Sequence, residues 1–146
     1  MTRMLTVAVL VLGLSAATAD DKAEKDELDK LNGTWKGVSV VEDGKEMPKA
    51  EAEAVRLTVT GEKYMLKLRD QDIEGTHKLD PTKKPKQIEA VRTKGPEKGQ
   101  KMVGIYELDG DTFKVCFAAP GKDRPTEFKS AAGSGHRLLV LKREKP

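Results

Sequence analysis

The sequence predicts an all-β fold, an eight-stranded antiparallel up-and-down barrel, on three observations. From Gly33 onward apolar residues recur with period two, the spacing of a half-buried strand. Two pairs of neighbouring segments are joined by two-residue turns that gather their apolar side chains on one face. Most remaining connections are turns and loops rather than helices, and closing short strands on themselves removes the unpaired edges of an open sheet. A two-sheet sandwich is the other arrangement these strands allow.

The chain starts Met-Thr-Arg, runs through apolar residues from Met4 to Leu14, and reaches Ala17-Thr18-Ala19 before Asp20-Asp21. This is the order of a cleavable signal peptide, so residues 1–19 are read as one and the protein as exported, periplasmic or extracellular. The apolar run is shorter than the roughly 20 residues that span a bilayer, so no transmembrane anchor is expected after processing. Residues 20–30 form a charged lead-in of one or two helical turns, because only Leu28 and Leu31 share a helical face. The barrel domain covers 31–146, with no internal repeat.

Thr34–Val41 is the first strand and stops at Asp43-Gly44; Pro48–Ala54, rich in Ala and Glu, reads as a short helix. Val55–Thr60 and Lys63–Leu68 flank Gly61-Glu62, and Gly at the first turn position suits a type II′ hairpin. Its register sets Val59 opposite Tyr64, Leu57 opposite Leu66 and Val55 opposite Leu68 on the inner face. Ile73–Leu79 and Gln87–Arg92 are weaker strands. Lys101–Leu108 and Asp111–Ala118 form a second hairpin around Asp109-Gly110, a type I′ signal. That register pairs Tyr106 with Phe113, Gly104 with Val115 and Met102 with Phe117 inward, leaving Val103, Ile105, Lys114 and Cys116 on the wet face. His136–Lys142 is the last strand.

The chain has 146 residues, with 27 Lys and Arg against 24 Asp and Glu, and 4% aromatics. Arg3 is the only charge in 1–19, so processing brings the chain still closer to neutrality. A nucleic-acid partner is not expected, because such binders show a one-sided basic excess with stacking aromatics. Cys116 stands alone, so no internal disulfide forms. Flanked by Val115 and Phe117, it reads as a small apolar strand residue, with a reactive thiol as the other reading.

Alternate loops of a meander lie at the same end. One end receives the tight connections Gly61-Glu62, Asp80–Lys86 and Asp109-Gly110. The other receives Glu42–Ala54, Asp70–Asp72, Thr93–Gln100 and Ala119–Gly135, most of them long, and is the expected mouth.

Asn32-Gly33-Thr34-Trp35 resembles the Gly-x-Trp opening of lipocalin-like (calycin) barrels, in which the tryptophan plugs the closed end. With Lys78-Leu79-Asp80-Pro81 to Lys86, Gly104-Ile105-Tyr106 to Thr112, and Asp123-Arg124-Pro125-Thr126-Glu127-Phe128, residues 28–143 resemble a lipocalin-like domain of unknown function found in planctomycete bacteria. The resemblance implies the barrel and an envelope or extracellular setting, and brings no catalytic residues.

The inward positions Trp35, Tyr64, Leu66, Met102, Tyr106, Phe113 and Phe117 are candidates to line a pocket. His77 shares their face, either as a ligand contact or as a hydrogen-bonded core residue. Arg124 and Glu127 are placed at the mouth, where the Arg fork suits a carboxylate or phosphate, or where the two pair to fix a proline-bounded loop. His136 starts the last strand at the same mouth. Two histidines without a Cys or carboxylate pattern give no metal site, and no cofactor is implied. The residues therefore point to a binding module for a small apolar or amphipathic ligand. An envelope interaction scaffold using the long loops is the alternative, and an enzyme of unidentified activity working through His136, Arg124 and Glu127 is the third.

Overall fold

The computed structural model describes residues 19–145; residues 1–18 of the expected signal peptide lie outside the described residues. The strands are β1 (Gly33–Glu42), β2 (Lys45–Glu46), β3 (Arg56–Thr60), β4 (Lys63–Leu68), β5 (Gln71–Asp80), β6 (Lys86–Lys94), β7 (Lys101–Asp109), β8 (Thr112–Phe117) and β9 (Arg137–Arg143). Each pairs antiparallel with the next around the sheet, from β1 directly to β3, and β9 returns to β1. The result is a closed eight-stranded barrel, with β2 only a short hairpin on β1. Closure leaves the eight wall strands without free edges. No helix among the described residues is long and apolar enough to cross a membrane.

The first hairpin has the expected register, Val59 opposite Tyr64 and Leu57 opposite Leu66. Val55 precedes β3 and is fully buried, as is the facing end of β4 at Leu68. The second hairpin is shifted by two from the expected register: Tyr106 pairs with Val115, Gly104 with Phe117 and Leu108 with Phe113. The turn is Gly110-Asp111, and Gly110 alone takes a left-handed φ, 56°, as Gly61 does at 59° in the first hairpin. Positive φ at the first central residue alone is the type II′ pattern, whereas the type I′ pattern has it at both, as Asp43 and Gly44 do between β1 and β2. Because the shift is two, every side chain keeps its predicted face.

The outer face of that hairpin is not wet. Ile105 and Cys116 are buried there, beneath the long connection 118–136. Cys116 Sγ contacts Lys129 O at 3.5 Å, and Lys114 Nζ lies 5.2 Å from the centre of the Phe128 ring. Cys116 thus has the structural role expected of it, packed from both sides.

Two helices complete the molecule. α1 (Ala19–Leu31) has 13 residues, longer than the expected turn or two, and buries Glu27, Leu28 and Leu31 at the end with the tight turns. Trp35 is fully buried beside it, with Nε1 donating to Leu31 O at 2.9 Å and the Arg143 guanidinium 4.3 Å from its ring centre. This is the closed end. α2 (Lys49–Glu53) packs against β1 at Gly37, where any Cβ would collide with Ala52 O.

Candidate ligand-binding site

Inward residues of neighbouring strands fill only part of the barrel. Ala90 is small and Gly75 has no side chain, so a cavity of about 270 Å³ remains. Its walls are apolar, including Leu57, Leu66, Ile88, Phe113, Val115 and Leu139, and its floor is Leu31. At the opposite end it is bordered by Glu42, Asp43, Glu97 and the segment Gly135–Arg137. The mouth therefore lies at the long-loop end, as the meander requires.

One polar row climbs the tilted wall toward that mouth, from Tyr64 beside the Gly61-Glu62 turn to Arg92 beside the connection that holds Pro96 and Glu97. Tyr64, Gly75 and Arg92 are direct neighbours on β4, β5 and β6. The Tyr64 hydroxyl lies 2.6 Å from where a Cβ of residue 75 would be, a clash that glycine avoids, so the phenol can lie across that strand toward Arg92. Arg92 is 5% exposed; one nitrogen, Nη1, donates to Pro96 O at 2.8 Å and lies 3.2 Å from Glu97. Its Nε has no hydrogen-bond partner among the described residues. Burial pushes the Tyr64 phenol up against the opposing pull of Arg92.

Below this row His77 stacks on Tyr64, with ring centres 5.7 Å apart, and Nε2 meets Gly61 O at 2.9 Å. Burial lowers its pKa, outweighing Gly61 and Glu62, so the ring is neutral and Nε2–H donates. At the rim Arg137 Nε lies 3.2 Å from Glu42 Oε1. That oxygen accepts no aligned hydrogen bond, so the pair is a charge contact without good directionality. Burial lowers the Arg137 pKa, with Glu42 opposing, yet a guanidinium stays charged.

Of the expected lining residues, Tyr64, Leu66, His77, Met102, Phe113, Phe117 and His136 border the cavity. Trp35 and Tyr106 do not, although both point inward and are buried. Each packs against Phe113, and the Tyr106 hydroxyl donates to Glu27 of α1 at 2.9 Å, so they belong to the packed closed end.

Arg124 is not at the mouth. Its connection folds down the outer wall, where Nη1 donates to Ile88 O and Gly104 O and Nη2 lies 3.6 Å from Glu89. Backbone carbonyls and Glu89, rather than Glu127, hold it, and Glu127 is exposed on the same connection. Two strand carbonyls and a carboxylate on the outer wall give the guanidinium charge-assisted contacts that open solvent at the mouth does not. The trio Arg124, Glu127 and His136 is therefore not gathered at one mouth.

Arg92 and Arg137 are the functional candidates that the sequence reading left out. Alternation along β6 carried the signal for the first, since Ile88, Ala90 and Arg92 share one parity. No protein-family model, curated protein or solved structure matches the chain. Among the described residues no three His, Cys, Asp or Glu side chains gather in a way that could hold a metal ion.

Proposed function

We propose that this protein is an exported binding module that holds a small apolar or amphipathic ligand inside its barrel. The observation that carries the reading is the apolar cavity of about 270 Å³ reaching from Leu31 to the long-loop mouth. Eight-stranded barrels are commonly filled by side chains, so retained space is informative. At ~30 Å³ for each water-sized group the space takes about nine of them, the size of a medium-length alkyl chain. Export rests on the signal-peptide order of residues 1–19, and the resemblance to lipocalin-like domains is in keeping with both parts.

Native mass spectrometry of the protein from its own host, together with calorimetric titration by decan-1-ol, tests the reading. The wild type should retain or take up one ligand. Ala90→Phe, which grows into the cavity from β6, should abolish uptake while leaving the melting temperature unchanged or higher. A wild type that carries no ligand and binds no medium-chain alcohol would sink the proposal.

A further inference from the structure

We propose that the ligand carries a singly charged carboxylate head, seated against Arg92 and Tyr64 at the mouth half of the cavity with its alkyl tail toward Leu31. This rests on the cavity being a ligand site. Arg92 is the anchor because it borders the cavity, is 5% exposed, and still has an Nε donor that no described residue accepts from. A guanidinium cannot shed its charge, so a buried one with an idle donor is stabilised by an incoming oxyanion. Tyr64 adds a hydroxyl in the same row, brought there by Gly75. A buried charge-assisted hydrogen bond of this kind is the strongest polar contact the cavity offers.

The surrounding charges select the head further. Arg137 also borders the mouth, with Glu42 beside it; Arg69 lies 3.7 Å from Glu42, and Glu97 lies 3.2 Å from Arg92. Asp43 and His136 complete the rim, and His77 is neutral below. With three carboxylates bordering the mouth, Glu42, Asp43 and Glu97, one negative charge is accommodated between the arginines and a second is repelled, which disfavours a phosphate monoester. A cationic head meets Arg92 directly and is rejected. Beyond this row the cavity wall is apolar, through Ile88, Leu57, Phe113 and Leu139, which suits an unbranched tail.

Titration of the whole protein at neutral pH with decanoate, decan-1-ol, decyl phosphate and decylammonium tests the head group at constant tail. Decanoate should bind about 30-fold tighter than decan-1-ol, the scale of one charge-assisted hydrogen bond. Decyl phosphate should be weaker than decanoate, and decylammonium should not bind. Arg92→Met should bring decanoate down to the affinity of decan-1-ol, and Arg92→Lys should restore part of the difference. Tyr64→Phe, which keeps the ring and the fold, should weaken decanoate alone. Equal binding of decanoate and decan-1-ol by the wild type would overturn the carboxylate site and leave the cavity reading standing. Tighter binding of decyl phosphate would overturn the choice of a single charge. Binding of none of the four would overturn both.

Discussion

At position 75 a missing side chain does more than most side chains present. The gap at Gly75 lets Tyr64 and Arg92 occupy one row of the wall, and it leaves His77, two residues on, to stack beneath the phenol. His77 carries a testable consequence for pH. Burial holds its pKa below the ordinary 6.5, so the unfolded chain takes up the proton first as pH falls. The unfolded state then binds more protons, and stability drops from about pH 6.5 until the folded-state value is reached, where the loss levels off. Urea midpoints at pH 7.5 and pH 5 should show this loss in the wild type and a smaller one in His77→Gln. Identical pH dependence in the two proteins would refute the assignment. His77 was legible as an inward residue because strand parity is local. Its neutrality was not, since it depends on what β4 and the turn at Gly61 place around it.

The elements at the two ends show what docking adds to local pattern. α1 reads as a solvated lead-in because its sequence is mostly charged, yet it buries Glu27 against the Tyr106 hydroxyl and within 3.2 Å of Lys86 Nζ. Burial and the Glu27 carboxylate together push the Tyr106 phenol far above its usual range. Tyr106→Phe should therefore cost about 1–3 kcal/mol, through a buried carboxylate left short of a donor. Denaturant unfolding measures the cost, and faster amide exchange across 21–31 would mark the loosened helix. At the opposite end the connection 118–136 is tethered to the wall through Arg124 and closes over Cys116. The thiol is fully buried and its pKa is pushed up, so it should resist Ellman's reagent. Arg124→Ala should raise the labelling rate on the order of tenfold, equivalent to ~1.4 kcal/mol of easier local opening. An unchanged rate would mean that Arg124 does not hold the cover. The apolar outward residues Ile105 and Cys116 were the signal for such a cover, since a solvent-facing strand surface is usually polar.

Across the whole molecule, the barrel is sealed at one end and open at the other. Trp35 ties the first strand, the α1 terminus and Arg143 of the last strand into one closed end. Trp35→Ala should destabilise the protein by ~3–5 kcal/mol, while Leu66→Ala, half-buried beside existing space, should cost less than ~2 kcal/mol. Thermal and urea unfolding followed by circular dichroism give both values, and equal costs would contradict this division. Period-two alternation, turn glycines and the Gly-x-Trp segment were enough to read the closed barrel, the side-chain faces and the end at which the mouth lies. Strand parity and turn chemistry are local, whereas closure itself rests on β9 pairing with β1, from opposite ends of the domain. The descent of Arg124 to the outer wall and the burial of Glu27 depend on partners dozens of residues away. The same holds for the candidate anion site, where Tyr64, Gly75 and Arg92 are each ordinary in their own strands. Their chemistry arises because antiparallel pairing sets the three side by side on neighbouring strands, in a wall where burial leaves a guanidinium donor unspent.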